Sequence, residues 1–554
     1  MKMPSVMRQG GRFAKVPQAN IPRSTFNRSH GYKTTFDQGA LIPVLVDEVY
    51  PGDTFNVKMT AFARLSTPIK PIMDNMYLDS FFFFVPYRLL WENFKKFLGE
   101  QEDPADTISY TIPQQTVPAG GYDTGSLHDY FGLPVGVGAG SPAWSHSCLP
   151  TRAYYLIWNE WFRDQNLQDS RSGTGGSGIS MNLGNGPDVA PAGGSAVAFR
   201  GKRHDYFTSC LPWQQKGSAV TIASANNAPV KPSGSLYPTF YDGTSAPQSA
   251  HLEAGANGDT GPVNFDQLAA SVDFSTGDRL YWHTTSLEAE IGGVITINEM
   301  RESFQIQKLL ERSARGGTRY PEVIKAHFGV TDPSHAVLQR PQYLGGGSAP
   351  INISSTAQTG PTTDGAGAAG TPQGNLAAIG TMVANNHGFV NSFTEHGVVM
   401  GLVSVRCDLS YQQGLERWWS RETRYDMYYP EFAHLGEQAV LNKEIYTQGA
   451  AADDNVFGYQ ERFAEMRYKP SRVTGQFRSN VAGGAASLHI WHLSQDFASL
   501  PTLNSVFVTD DLRSEVDRVI ATPTEPHLFF DAWFEYICAR PLPVYSVPGL
   551  IDHL

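Results

Sequence analysis

Four consecutive phenylalanines, Phe81 to Phe84, constrain this chain more than any other stretch of it. They lie in YLDSFFFFVPYRLLWENF, from Tyr77 to Phe94. Successive side chains of a strand point to opposite faces. Phe81, Phe83 and Val85 therefore point one way, and Phe82 and Phe84 the other. Neither face tolerates water, so the strand needs an apolar layer on each side. In a lone sandwich one set would be bare and would invite aggregation. The expectation is a core strand whose inner face packs on an opposing sheet. Its outer face, taken as that of Phe82 and Phe84, is covered by an insertion of this chain or by a neighbouring copy. Asp79 and Pro86 bracket the run as gatekeepers.

Further β signals surround it. LIPVLVDEVYPGDTFNVKMTAF, residues 41–62, reads as two strands around a Pro51-Gly52-Asp53 turn. Phe55, Val57 and Met59 alternate with Asn56, Lys58 and Thr60. Pro86 stops the phenylalanine strand, and Tyr87 to Leu98 reads as a short helix. Thr151 is the expected N-cap of a helix carrying Tyr154, Ile157, Trp158 and Trp161 at helical spacing. That helix is apolar nearly all round, which means it is buried or sits in an interface. Asn298 to Gly316 and Pro321 to Phe328 read as two more helices. Gly397 to Leu409, Ser487 to Leu493 and Leu528 to Ile537 read as strands. The segments 101–150, 169–198 and 344–380 read as loop, and 217–290 as a long polar excursion with β-like pieces such as Ser218 to Ile222. Loops of such length make little sense in a compact monomer, but they do make sense as contact surfaces.

Composition points the same way. Charged residues are only 17% of the 554, below the roughly 25% of an ordinary soluble chain. A lightly charged surface suits one covered by partners. The four cysteines, Cys148, Cys210, Cys407 and Cys538, form no CxxC pair, and the expectation is free, buried thiols. No apolar run reaches the length of a membrane span, and the first residues lack the apolar core of a signal peptide.

Catalytic signatures are missing. There is no GxxxxGK[ST] and no HExxH, and Gly175-Gly176-Ser177-Gly178-Ile179 fails as a nucleophile elbow at its last position. Gly136-x-Gly138-x-Gly140 opens no helix. His489 and His492 would face opposite sides of a strand and could not share an ion. The expectation is a non-enzyme with no catalytic residue, no metal site and no cofactor.

Charge distribution is the informative feature. Residues 1–36 hold Lys2, Arg8, Arg12, Lys15, Arg23, Arg28 and Lys33 and no acid, which leaves −18 on the remainder against a total of −11. Phe13, Phe26 and Tyr32 are interleaved with these cations. We read 1–36 as an extended basic arm: cations hold phosphates and aromatics stack on unpaired bases. A second basic stretch, Tyr459 to Arg478, contains Arg467, Lys469 and Arg472, which suit nucleic acid or ion pairs between subunits equally. The candidate nucleic-acid-binding residues are Lys2, Arg8, Arg12, Phe13, Lys15, Arg23, Phe26, Arg28, Lys33, Arg467, Lys469 and Arg472.

Several long blocks now combine. FNRSHGYKTTFDQGALIPVLVDEVYPGDTF (from Phe26) and TAFARLSTPIKPIMDNMYLDSFFFFVPYRLLWENF (from Thr60) resemble the major capsid proteins of gokushovirus-type microviruses. So do RAYYLIWNEWFRDQNLQ (from Arg152), DYFTSCLPWQQKG (from Asp205), LLERSARGGTRYPEVIKAHFGV (from Leu309), TPQGNLAA (from Thr371), GYQERFAEMRYKPSRVTGQFR (from Gly458) and the terminal PLPVYSVPGLIDHL. The resemblance spans nearly the whole chain. It implies a mainly β protein: a single eight-stranded antiparallel jelly roll, residues 37–554, with large loop and helical insertions. It implies a homo-oligomeric T=1 shell of sixty copies around single-stranded DNA, made in the host bacterial cytoplasm and located in the virion. The implied partners are a small basic DNA-packaging protein, other capsid or pilot proteins and a host bacterial surface receptor. The insertion 217–290 would form a surface protrusion near the three-fold axis that contacts the host. A phage adhesin or carbohydrate-binding protein on a β scaffold would explain the loops but not the basic arm, and for a jelly-roll carbohydrate hydrolase no pair of acids stands out.

Overall fold

The computed structural model describes residues 22–138, 144–171, 183–220, 297–330, 339–360, 371, 373–481 and 486–545, with the backbone of six short strands between 230 and 289. The chain divides into two units: Met1–Gln214 with Gly316–Leu554, and Gln215–Arg315.

The first unit is built on two antiparallel sheets. Its strands are β1 (Ser24–Asn27), β2 (His30–Phe36), β3 (Ile42–Val49), β4 (Thr54–Leu65), β5 (Met76–Pro86), β6 (Gln342–Pro350), β7 (Asn352–Ala357), β8 (Leu376–Ser392), β9 (Gly397–Cys407) and β10 (Leu528–Arg540). One sheet has four strands in the order β6-β5-β9-β3; the other has six, with β10 between β4 and the N-terminal pair β1 and β2, and β8 and β7 on the other side of β4. The chain alternates between sheets as it passes from β3 to β4 to β5, and again from β8 to β9 to β10. This is a jelly roll, and its core lies between the sheets. Strand β4 alternates strictly: Phe55, Val57, Met59, Ala61, Ala63 and Leu65 are buried, while Lys58, Thr60, Phe62 and Arg64 are exposed. The Pro51-Gly52-Asp53 turn lies where its residue types require, with Gly52 at a φ of 92° that a β-carbon would resist.

The phenylalanine strand is β5, central in the four-stranded sheet and buried on both faces. Phe82 and Phe84 point into the main core, where their rings lie 5.5 Å from Phe389 and 4.7 Å from Phe393. They form the inner face, so the face assignment made from sequence is inverted. Phe83 and Val85 form the outer face, with Phe81 partly buried beside them. Period two states that the sets are opposed, not which set faces inward. Neighbouring β9 supplies glycines where the rings need room. A β-carbon at Gly401 would come within 2.8 Å of Phe82, and one at Gly397 within 2.6 Å of Phe84.

This chain covers the outer face itself. Helix α1 (Leu149–Ile157) and the π turn Trp158–Phe162 that continues it pack there with Leu90 and Trp91. The helix starts before Thr151, with Cys148 as N-cap; Thr151 is inside it and buried. Tyr154 donates to Leu41 O at 2.7 Å and accepts from Ala198 N at 2.9 Å. Arg152, fully buried, makes a bidentate pair with Asp188 at 2.9 and 2.7 Å and donates to Leu90 O and Gly184 O.

Other expectations need correction. Residues 24–36 do not form an extended arm: they are β1 and β2, paired along β10. Residues 344–380 are not one loop, since β6, β7 and the start of β8 lie there. Ser487 to Leu493 is no strand; its only regular element is the 3₁₀ turn His489–Trp491. Tyr87 to Leu98 breaks into a 3₁₀ turn at Tyr87–Leu89 and one helical turn at Phe94–Phe97. Asp79 is not a solvated gatekeeper: its Oδ2 accepts from Arg200 at 2.7 Å and Arg406 at 2.9 Å. All four cysteines are free and buried, as expected.

Among its described residues the second unit contains three two-stranded antiparallel pairs, Val230–Pro232 with Leu287–Ala289, Phe240–Tyr241 with Tyr281–Trp282, and His251–Glu253 with Asn264–Asp266. The pairs are nested, each inside the last. Helix α2 (Ile297–Arg315) closes the unit, and α3 (Tyr320–Phe328) follows in the first unit, ending at Gly329 in the left-handed region. Ser218 to Val220 is no strand, and the rest of that expected piece lies outside the described residues.

Two substitutions probe the core. Phe84→Ala empties a site that is 2% exposed and lowers unfolding free energy by about 3–5 kcal/mol in urea titration. The second concerns His128, fully buried, stacked 4.0 Å from Tyr122 and 3.2 Å from Gln115 Oε1. Burial, helped by nearby His146, pushes its pKa from 6.5 down to about 4. The folded state holds the neutral ring. Its contribution is complete above pH 6.5 and falls by about 3 kcal/mol as pH drops toward 4. His128→Gln should flatten the fall in urea midpoint between pH 7 and 4.5; an unchanged slope refutes this assignment.

Candidate functional site

The candidate nucleic-acid residues divide into three groups. Lys2, Arg8, Arg12, Phe13 and Lys15 lie outside the described residues. Arg23, Phe26, Arg28 and Lys33 are on or beside β1 and β2. Arg23 bonds Gly52 O and donates to Thr54 Oγ1 at 2.8 Å. Phe26 packs against the main core. Arg28 pairs with Asp47, and its guanidinium lies 5.1 Å from the Tyr536 ring centre. Lys33 is exposed, 3.9 Å from Asp531.

Arg467, Lys469 and Arg472 form the third group. Arg467 pairs with Glu461. Glu416 takes both Lys469, at 3.0 Å, and Arg472. These cations are matched by acids of their own chain, and two of them share one carboxylate.

Glu416 stands at a cleft of about 400 Å³ lined by Tyr206, Tyr411, Trp418, Trp419, Tyr468 and Arg472 among others. Beneath it, the paired strands Glu437–Leu441 and Val456–Glu461 and the block around Tyr206 form a separate small core. The short helix Asn442–Ile445 places Glu444 at its edge. That carboxylate accepts from Arg417 at 3.0 Å, Tyr206 Oη at 2.7 Å and Leu441 N at 2.9 Å. Burial raises the pKa of Glu444, opposed by the charge of Arg417. Arg421 pairs with Glu465 at 3.0 Å. These two arginines fasten the segment 415–435 to the body.

That segment carries the largest concentration of bare aromatic side chains in this region. Trp419 is 60% exposed and Tyr425 69%, and Trp418, Met427, Tyr428 and Leu435 are exposed too. The rings of Trp418 and Trp419 lie 3.7 Å apart. The sequence reading missed this surface. The available signal was aromatic density in RWWSRETRYDMYY (from Arg417), which has no strand or helix periodicity to justify it.

His489 and His492 do not converge on an ion: His492 is buried against Phe477 O, and His489 contacts Ser487. Among the described residues no cluster of three or more His, Cys, Asp or Glu could hold a metal, and no helix is long and apolar enough to cross a membrane.

A jelly roll with long insertions and exposed aromatic surface is an architecture that shell proteins of the viral-capsid class use. The chain belongs to the phage family described as Capsid protein (F protein), whose model matches residues 14–550. It is 42% identical to capsid protein VP1 of Chlamydia phage 1, over 99% of each chain. It is 43% identical to capsid protein VP1 of Bdellovibrio phage phiMH2K and 36% identical to that of Spiroplasma virus 4, each over 97% of both chains. These relatives belong to gokushovirus-type microviruses. The chain is a structural major capsid protein of the virion, not an enzyme.

Glu444→Gln leaves Arg417 without its carboxylate and costs about 1–3 kcal/mol. The loop 415–435 then loosens, so limited trypsin digestion should cleave at Arg421 or Arg424 faster than in wild type while the jelly roll stays intact.

Proposed function

We propose that this chain closes into a T=1 shell of sixty copies around single-stranded DNA, and that segment 415–435 is a contact between copies. The exposed Trp418-Trp419 pair carries the proposal. Interfaces are enriched in Trp, Tyr, Met and Arg, and bare apolar patches mark contact sites. The segment has three arginines and four acids, a near-neutral balance that suits another protein surface better than a phosphate backbone. Closed symmetry would stop growth at a finite particle.

The remaining roles have sequence support only. The cations Lys2, Arg8, Arg12 and Lys15 contact the genome beside a small basic packaging protein. The 217–290 insertion protrudes near the three-fold axis and meets the host receptor. Other capsid or pilot proteins complete the particle.

Trp419→Glu tests the contact. Because Trp419 is 60% exposed, the variant subunit should melt within about 1 °C of wild type. Yield of uniform spheres in negative-stain micrographs, with the packaging partners present, should fall at least tenfold, as expected for loss of a hot spot. Wild-type yield from the variant removes this segment from the assembly contacts.

A further inference from the structure

The two sheets differ in how their outer faces are treated. That of the four-stranded sheet is covered by α1. On the six-stranded sheet, β4 and β10 alternate strictly and turn every second residue outward. Phe62 is 48% exposed, Phe529 40% and Trp533 56%. Asp531 faces Phe62 in the register, so Phe529 and Trp533 are both diagonal neighbours of Phe62. Diagonal positions lie about 7–8 Å apart, which makes one aromatic platform across two strands.

Cations are interleaved with the rings. Arg64 faces Phe529 and Lys58 faces Glu535. Both are exposed, and neither makes a side-chain hydrogen bond or ion pair among the described residues. This contrasts with Arg467, Lys469 and Arg472, each neutralised by an acid of the chain. Lys33 is a third cation on this face, but it is already within 3.9 Å of Asp531. Counting Asp531 and Glu535, the outward strand residues alone carry a net charge of +1, and Asp129 and Glu525 stand at the end of the face. A groove of about 870 Å³ runs over one end, lined by Lys33 and Arg64, by Phe62 and Phe529, and by the acids Asp129, Glu525 and Asp531. The strands β1 and β2 border β10 on the same sheet, and the chain that precedes them, residues 1–21, has four cations and no acid.

We infer that this outer sheet face binds single-stranded DNA, with bases stacked on Phe62, Phe529 and Trp533 and phosphates held by Lys58 and Arg64. A sheet carrying exposed aromatics among free cations is a general solution for unpaired strands, because every base has a stackable face. Duplex DNA would hide those faces. A second copy of the chain would more often meet matched charges, as at 415–435, than two free cations. The inference rests on the capsid reading for its source of DNA.

The test uses the full-length chain and its particles. Binding of a fluorescent oligo-dT of about 16 nucleotides is measured against salt. Phe62→Ala/Trp533→Ala should weaken binding at least tenfold, and Lys58→Gln/Arg64→Gln should lower the salt slope by about 1–2. All four positions are exposed, so melting temperatures serve as the folding control. Ultraviolet cross-linking of DNA-filled particles should place adducts in peptides containing Phe62 or Trp533. Wild-type oligonucleotide affinity in both variants, or adducts confined to other peptides, overturns the inference. So does a variant that keeps oligonucleotide affinity but fails to assemble without DNA, which would make the face a contact between copies. If the wild-type chain forms no particles under any condition yet binds oligo-dT through these residues, the capsid reading fails and the site stands.

Discussion

The two-sided burial of β5 governs the rest of the structure. Its phenylalanines need apolar cover on both faces, and one opposing sheet supplies only one. Everything wrapped around the four-stranded sheet answers that demand: α1, its π-turn extension and the Leu90-Trp91 corner form a third layer. Fully burying a side chain of this size is worth about 1.5–3 kcal/mol. The run therefore makes the layer a condition of folding. The glycines of β9 are the complementary half of the arrangement, since a β-carbon at 397 or 401 would collide with the rings.

A third layer carries polar groups inward, and they had to be matched. Arg152 brings a full charge into the interior with α1 and is met by Asp188 and two carbonyls. Buried pairs of this kind add little net stability over an apolar substitute but are costly to break. Their effect is positional: Arg152 has one bidentate partner, so it sets where the loop carrying Asp188 crosses the helix. Asp79 acts alike on a smaller scale. Burial would raise its pKa, but bonds from Ser348 and Arg200 and the charge of Arg406 hold it below the usual range. It thereby ties β5 to the segment containing Arg200 and to β9.

Periodicity made much of this legible in the sequence. The alternation of Phe55, Val57 and Met59 gave β4 its correct faces, and all-round apolarity marked α1 as buried. Other elements had no local signal. β1 and β2 are polar and short, and they are strands because β10, at the far end of the chain, offers them an edge. β6 reads as loop because Gly345, Gly346 and Gly347 stand across from Phe82, Phe81 and Ser80. Small residues are needed there: a β-carbon at Gly347 would meet the His387 ring at 2.6 Å. The basic stretch 459–478 was visible as charge, but its neutralisation was not, because Glu416 lies 53 residues before Lys469. Cation counts report supply; pairing decides availability.

The same distinction separates the surfaces of the subunit by partner. Where arginines are already tied to acids, as at Arg417 and Arg421, the aromatics beside them are left with shape and apolar area as their means of recognition, which is how protein surfaces meet. Where cations are free, as at Lys58 and Arg64, the neighbouring rings stand next to unspent charge, which suits a polyanion. A shell subunit needs both kinds of surface and must keep them apart, since a DNA strand competing for the contacts between copies would block closure. In the proposed shell the β4–β10 sheet face and the 415–435 segment serve these two ends. The covering of β5 by its own chain fits this division: an aromatic face as apolar as Phe83 and Val85, left open, would compete with both.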